Sequence, residues 1–548
     1  MTELKSLSAL IVEPHAGMRN SLHNMLSLFG MSKIDDVVNS TQAIRALNTR
    51  PYDLILCEYE LDGGQDGQQL LEDLRHHRLM QPSAMFFMVT GEGQFSKVIG
   101  VAELQPNDYI LKPFTAESMR ERIERALEKR DALLPVHELM ELGDHRAAID
   151  FCQEQEAGRF AADFMRLRAE NYLMLGEPSR AAPIYAELWD SKAIHWARLG
   201  QAKTLFMQGH TEDARGMLED LLSHNRRFLD AYDWLARTHE AEGRLEQAKA
   251  VLSDAVALSP HAIRRLRRLG EVALESGDID TAEKALRQVV NRARFSEFRD
   301  PEDHARLVQT LVRKGDPLQA ASVIRDLDKA LLSAPNREVC SAIASAMLHD
   351  YTGDKERLEQ SVAAAITGVR TAPAVSNELK MALALAALSA GKEEVAEEVV
   401  REVMRNVSGS QGLARAVDTL DEAGHGEMAQ RLAAESRMDV ARMVAAGAER
   451  AKAGDFQGAV EIMLEAVARL PDNPQVVFNA SVAVLKCLEH NGWEDHLGVA
   501  ALEMIANVRR LDPVNPKLNA LSGLYEELLR KYNIRPGRRT APLRRRRI

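Results

Sequence analysis

Four side chains with ionic or hydrogen-bonding capacity stand where apolar runs stop. Asp53-Leu54-Ile55-Leu56-Cys57 leads into Glu58, and Lys112, which follows Glu58 by 54 residues, closes the run Tyr109-Ile110-Leu111 and opens Lys112-Pro113-Phe114. A carboxylate and an ammonium so placed form an ion pair if the two runs lie side by side. Ser8-Ala9-Leu10-Ile11-Val12 leads likewise into Glu13-Pro14, and Ala84-Met85-Phe86-Phe87-Met88-Val89 into Thr90.

The elements that must position these groups follow from the pattern. Short continuous apolar runs bounded by polar residues read as strands buried on both faces, and the stretches between them are amphipathic. Strands alternating with helical patterns specify a doubly wound parallel sheet. In such a sheet the working crevice lies beyond the carboxyl ends of the strands, which is where Glu13, Glu58, Thr90 and Lys112 fall.

This arrangement, over roughly residues 6–130, resembles the receiver domain of two-component response regulators. The resemblance implies that an aspartate at the tip of the third strand takes a phosphoryl group and that a lysine at the tip of the fifth neutralises it. Here Glu58 holds the acceptor position and Lys112 the lysine. Receivers usually place two adjacent acids after the first strand to bind Mg²⁺, a hard ion that requires oxygen ligands. The pair here is Glu13-Pro14, and proline offers no side-chain oxygen. The expectation is therefore no cofactor, with at most a weak Mg²⁺ site through Glu13 and Glu58, disfavoured by Pro14. The following loop departs too, with Asp62 where a proline is usual and one extra residue in Gly63-Gly64-Gln65-Asp66-Gly67.

Three readings of Glu58 stand side by side. Its carboxylate, one methylene longer than that of aspartate, can reach toward the place of the phosphoryl oxygens with a smaller charge, so that pairing with Lys112 gives an active-like receiver without phosphorylation. Alternatively the domain is a rigid interaction module and Glu58 a solvated strand-end acid. Phosphorylation of Glu58 or a neighbour such as Asp62 is the third. Asp53 is a poor substitute, being at the wrong end of its strand. The resemblance assigns Thr90 to a hydrogen bond with the phosphoryl group and Tyr109 to the aromatic that follows it inward. An ordinary loop cap and a half-buried strand aromatic account for the same two residues. Asp66 is expected to cap the next helix, with Gly67 easing the turn.

Beyond residue 130 the chain turns rich in Ala, Leu, Glu and Arg, and it repeats. A glycine followed five residues later by alanine recurs at Gly143/Ala148, Gly176/Ala181, Gly209/Ala214, Gly243/Ala248, Gly277/Ala282, Gly315/Ala320, Gly391/Ala396, Gly424/Ala429 and Gly454/Ala459. The first five glycines are spaced by 33, 33, 34 and 34 residues, the period of a tetratricopeptide helix pair. Gly243 opens the turn within one unit, Leu229 to Ala262, and Ala248 is small because two helices cross there. The signal weakens between Gly315 and Gly391, where Gly353 stands midway and Leu358 replaces the alanine; longer helices are expected. The fold class is thus an α/β doubly wound receiver domain followed by an all-α tetratricopeptide solenoid. The expected division is 1–130 receiver, 131–475 repeats, 476–533 capping helices and 534–548 a disordered basic tail.

Stacked helix pairs curve around a concave groove lined by their first helices. The groove-facing candidates for a protein partner are Asp230, Asp233, Arg237, Arg264, Arg267 and Glu271. The run Arg264-Arg265-Leu266-Arg267-Arg268 either grips acidic ligands or is a solvated face with local pairing. The last fourteen residues hold seven arginines and no acid, a composition that favours disorder and could touch membrane, nucleic acid or an acidic patch.

The net charge of −11 disfavours polyanion binding outside that tail. Cys57, Cys152, Cys340 and Cys487 are too scattered for a disulfide or zinc framework. No run approaches a membrane span, and Met1-Thr2-Glu3-Leu4-Lys5 lacks the form of a signal peptide. P-loop, GxSxG and HExxH motifs are missing, so no catalytic residue is assigned. The expected protein is a cytoplasmic, non-enzymatic, non-DNA-binding response regulator or adaptor that binds protein partners, such as a sensor histidine kinase or another response regulator, and is compatible with a homodimer. The alternatives are a conventional phosphorylatable response regulator, or a transcription- or RNA-associated regulator using the helical array and arginine tail.

Overall fold

The computed structural model describes residues 3–61, 65–77, 79–81, 83–91, 107–192, 194–260, 262–294, 299–331, 334, 336–371, 375–406, 409–512, 515, 517–532 and 534. Of the expected tail at 534–548 all but Ile534, together with Asp62 to Gly64 and the segment 92–106 before the fifth strand, lie outside the described residues.

Five strands, β1 (Ser8–Val12), β2 (Lys33–Val37), β3 (Leu54–Cys57), β4 (Met85–Thr90) and β5 (Asp108–Leu111), form one sheet in the order β2-β1-β3-β4-β5. All neighbours are parallel. Because side chains alternate along a strand, each strand feeds two cores. Ile11, Leu54, Leu56, Phe87 and Val89 face α1 (Ala16–Leu28) and the start of α4 (Ala116–Glu141). Leu10, Val12, Ile55, Cys57 and Phe86 face α2 (Ser40–Thr49) and α3 (Gly67–His76). Helices on both faces are what a parallel sheet requires. The strand that apolar runs do not announce is β2, Lys-Ile-Asp-Asp-Val, which lies at the sheet edge with mostly exposed or half-buried residues.

Register sets the carboxyl edge. Cys57 lies level with Val12 on one side and Met88 on the other, and Thr90 with Leu111. The ladder continues one residue past the strands: Glu13 N donates to Val37 O (3.0 Å), Glu58 N to Val12 O (2.9 Å) and Lys112 N to Thr90 O (2.8 Å). Glu13, Glu58 and Lys112 therefore hang from ordered backbone. Asp66 and Gln69 form a reciprocal capping box at α3, the geometry that satisfies two orphan donors at once.

The helix α4 belongs to both halves of the molecule. Met119, Ile123 and Leu127 pack on the sheet, whereas Leu133 and Val136 pack with Ala148, Cys152, Phe164 and Leu167 of the first repeats. Residue 130 lies inside this continuous helix, so the two halves are joined by a helix shared between their cores. Arg130 also reaches back to Asp53 Oδ1 (3.4 Å) at the start of β3.

Beyond α4 the chain is helical. At Gly143, Gly176, Gly209, Gly243, Gly277, Gly315, Gly353, Gly391, Gly424 and Gly454 it turns with φ between +70° and +84°. L-residues with a Cβ avoid this region. The alanines five residues on, from Ala148 to Ala459, are fully buried. In the irregular middle the helices Arg337–Thr352 and Lys355–Thr371 run 16 and 17 residues, and Leu358 is buried where the alanine would stand. Further on, Gly426–Lys452 is one helix of 27 residues that fuses the second helix of one unit to the first of the next.

The superhelix is tight enough for late helices to meet early ones. Arg306 pairs with Glu378 (3.2 Å), Arg415 with Glu275, and Arg146 of the first repeat with Glu526 of the helix Leu518–Lys531 (2.6 Å). The C-terminal helices, expected only to cap an open end, therefore also touch the beginning of the array. All four cysteines are buried and unbridged.

Two glycines separate backbone strain from packing. Gly243→Ala meets nothing within 4 Å but must keep φ near +73°, so it should cost about 1–2 kcal/mol. Gly270→Ala puts a Cβ 2.6 Å from Leu286 Cγ and should cost about 1–3 kcal/mol by overpacking. Urea unfolding of each variant checks this, and a Gly270→Ala variant as stable as the parent would contradict the helix crossing.

Candidate functional site

At the carboxyl edge of the sheet the Lys112 ammonium lies between two buried carboxylates. Its Nζ donates to Glu13 Oε2 (2.7 Å) and Glu58 Oε2 (2.5 Å), and the two acids are 1% and 8% exposed. The second oxygen of each acid is also occupied. Glu13 Oε1 accepts from His15 N (3.0 Å) and lies 3.3 Å from His15 Nδ1. Glu58 Oε1 accepts from Tyr59 N (2.6 Å) and Glu60 N (3.3 Å). Burial alone would lower the Lys112 pKa, but the bonds and charges of Glu13 and Glu58 outweigh it and raise the value above that of free lysine. The lysine is therefore held cationic by the acids it joins.

Thr90, almost fully buried, lies at the end of β4. Tyr109 is half-buried in β5 and packs against the core on the α2 and α3 side. Asp53 is taken up elsewhere: Oδ2 accepts from Ser8 N (2.9 Å) and Ser8 Oγ (2.8 Å) at the opposite end of the sheet.

Three residues shape the pocket without having been singled out as members of it. His15 borders Glu13, and Arg19 Nη1 donates to the carbonyls of Glu13 (2.7 Å) and Pro14 (3.0 Å), fixing the turn after β1. Gly67 presses against Glu58, where an added Cβ would lie 2.4 Å from the Glu58 carbonyl. Only a residue without a Cβ permits that approach. Position beside a strand-end acid was the available signal for His15, and the Asp66-Gly67 helix start for Gly67. Cys57 Sγ donates to Glu58 O (3.2 Å), and burial pushes its thiol pKa well up, leaving it unreactive.

The donor set does not fit a divalent ion as it stands. Mg²⁺ takes one or two carboxylates with near-octahedral geometry. The four oxygens of Glu13 and Glu58 already face N–H donors, the lysine sits between the two acids, and Pro14 contributes none. Among the described residues no cluster of three or more His, Cys, Asp or Glu could hold a metal.

The groove candidates divide. Asp230 is half-buried on the helix Leu229–Ala241, and burial raises its pKa against the pull of Lys203. Arg237 is exposed and stacks on Trp234 (5.0 Å) and Phe206 (5.7 Å). Arg264 is exposed, with its backbone N 3.4 Å from Glu72 Oε1 of α3. The other three serve internal pairing rather than an open groove. Asp233 binds Arg265 through both oxygens (2.8 and 2.7 Å), and Arg267 binds the buried Asp303 likewise (2.6 and 2.7 Å). Glu271 pairs with Arg268 (3.0 Å) and lies 3.6 Å from Arg306. The arginine run thus staples the helix Ile263–Glu275 to its neighbours. The superhelix also closes over the helix Pro301–Lys314, whose residues 301–311 are all buried, so no concave surface remains there.

A family model described as the response regulator receiver domain matches residues 9–124. One described as tetratricopeptide repeat matches residues 205–259 and 239–300. Chemotaxis protein CheY-3 of Vibrio cholerae is 26% identical over 125 residues, 23% of this chain and 95% of that protein. Chemotaxis protein CheY of Pseudomonas aeruginosa is 28% identical over 123 residues, 22% of this chain and 98% of that protein. Among solved structures, the receiver domain of NtrX from Brucella abortus is similar at 26% identity and a TM-score of 0.21, covering 22% of this chain and 98% of that one. The chain therefore carries a receiver domain followed by tetratricopeptide repeats.

Removing Lys112 tests the site's electrostatics. Lys112→Met leaves two buried carboxylates without their cation, which should cost about 3–5 kcal/mol in denaturant unfolding. Because the folded pKa of Lys112 is raised, its stabilisation is complete below the unfolded value of about 10.4 and is lost as pH rises through the folded value. The gap between parent and Lys112→Met should therefore narrow at alkaline pH. A gap independent of pH up to the alkaline limit of folding would refute the pairing.

Proposed function

We propose that this chain is a two-component signalling protein whose receiver works without a phosphoryl group, and that its output is protein binding. Receiver and tetratricopeptide domains are not in themselves enzymatic, and both commonly serve protein–protein interaction. The reading rests on one observation: Lys112 Nζ lies 2.5 Å from Glu58 Oε2, so the lysine already contacts a negative charge at the acceptor position.

In the phosphorylated form of an ordinary receiver the lysine would be drawn to a phosphoryl oxygen. Here the longer carboxylate of Glu58 supplies the anion at all times, and its two neighbouring backbone amides fix its orientation. Lys112 is shared with Glu13, and the backbone amides of His15, Tyr59 and Glu60 take up the negative charge that one ammonium leaves on two carboxylates. The carboxyl edge would then hold β5 in one arrangement, and α4, which follows β5, carries that arrangement into the first repeats through its shared cores. In this reading the molecule is a cytoplasmic adaptor that binds a sensor histidine kinase or another response regulator without accepting phosphate and without contacting DNA. Among the described residues no helix is long and apolar enough to cross a membrane.

The test uses the full chain. Incubation with acetyl phosphate and Mg²⁺ followed by intact mass measurement should show no added phosphoryl group; a label on Glu58 would return the protein to conventional phosphorylation. In Glu58→Gln the acceptor loses its charge and the ion pair with Lys112 is lost, a change of about 1.5–3 kcal/mol. Amides of Asp108–Lys112 should then exchange about tenfold faster or more. Unchanged exchange would mean that Glu58 does not order β5.

A further inference from the structure

Where the first repeat meets the end of the chain there is a cavity of about 380 Å³. One wall is the turn at Gly143 with His145, Arg146 and the end of the helix Ala161–Met174; the other is formed by the helices Asp495–Leu511 and Leu518–Lys531. Such a volume lies in the range of small-molecule sites, which are mostly apolar with a few convergent polar groups. Leu175, Leu502, Ile505 and Leu529 supply apolar lining.

The polar groups are unevenly satisfied. Arg146 is paired with Glu177 and Glu526, and Arg530 approaches Glu526 at 4.0 Å. Arg509 has no acid within ion-pair distance among the described residues. Its Nη2 reaches Ser522 Oγ at 3.5 Å, and its Nε is buried without a partner. Burial, acting alone, lowers its pKa to about 10, so it remains charged at neutral pH. Nearby, Tyr525 makes no hydrogen bond among the described residues, and burial raises its phenol to about 12, which keeps the hydroxyl a donor. Glu526 Oε1 also lacks a partner, but Glu526 is engaged through Oε2 by Arg146 and makes no ion pair with Arg509. Arg509 does act on His145 across the cavity. With Glu177, the partner of Arg146, the guanidinium groups of Arg146, Arg509 and Arg530 stand against Asp144, Glu177 and Glu526, so the uncompensated positive charge is local to Arg509.

An unpaired guanidinium in an apolar wall is costly and selects an anion, since charge-assisted bonds strengthen where water is excluded. We propose that this cavity binds a small amphipathic carboxylate, its head on Arg509 and Tyr525 and its hydrocarbon body against Leu175, Leu502, Ile505 and Leu529. One molecule then touches the first repeat and the last two helices together. It reinforces the closure already made by Arg146 and Glu526, and makes that closure responsive to a metabolite. This assignment is independent of the state of Glu58.

Calorimetric titration of the full chain with octanoate, 3-phenylpropanoate and octanol tests it. One carboxylate should bind per chain, with the two acids separating a linear from an aromatic body, and octanol should bind about tenfold more weakly or less. Arg509→Gln should weaken the carboxylate about tenfold to a hundredfold, the worth of a hydrogen bond to a charged group, and leave octanol unchanged. Leu502→Trp, which fills the cavity, should abolish both. Parent-like melting of each variant establishes that it is folded, and hydrogen exchange in Asp495–Lys531 should slow when the carboxylate is added to the parent. No binding of either acid at millimolar concentration, equal binding of octanol, or unchanged binding by Arg509→Gln would each overturn the assignment.

Discussion

One ammonium held between two buried carboxylates organises the carboxyl edge of the sheet. Glu13 and Glu58 come from strands adjacent in space but 45 residues apart in sequence, and Lys112 joins them from a third. Two such acids cannot remain ionised in a dry pocket without a cation. The lysine is thus a structural necessity before it is a signalling element, and the hydrogen-bonded ladder that carries these residues past their strands makes the geometry a property of the sheet.

The same constraint sets the chemistry that remains. In a receiver with an acidic pair and an aspartate, the lysine is one of several groups awaiting a phosphoryl oxygen. Here Pro14 removes one acid, Glu58 extends another, and each carboxylate oxygen already faces a donor. Energetic coupling to the repeats needs no flexible linker. The helix α4 packs one half of its length in the sheet's core and the other in the first repeat's, so a shift at β5 would reach the solenoid along one continuous helix, whose hydrogen-bond ladder lacks one donor at Pro135.

The solenoid is less open than repeat architecture alone suggests. Cross-helix pairs such as Arg267 with Asp303 and Arg306 with Glu378 fill part of what would be its concave face, and Arg146 with Glu526 brings its ends together. Buried pairs of this kind contribute little net stability because desolvation opposes them. Their effect is to specify curvature, since each arginine has an acid only when the helices stack in this one way.

The residue pattern by itself determined the strands buried on both faces, the helix-pair turns and the identity of the strand-end groups. These depend on local rules: a continuous apolar run where helices cover both faces of a sheet, glycine at positive φ, alanine at a close crossing. It did not reveal β2, whose Lys-Ile-Asp-Asp-Val lacks an apolar run because an edge strand is partly solvated, nor the 27-residue helix that merges two repeats. Tertiary structure alone decided that Glu13 shares Lys112 with Glu58, that Asp233, Arg267 and Glu271 are used internally, and that the first and last helices enclose a cavity. Those outcomes depend on sheet register and superhelical curvature, which sum many small helix-to-helix rotations and so are written in no single stretch of residues.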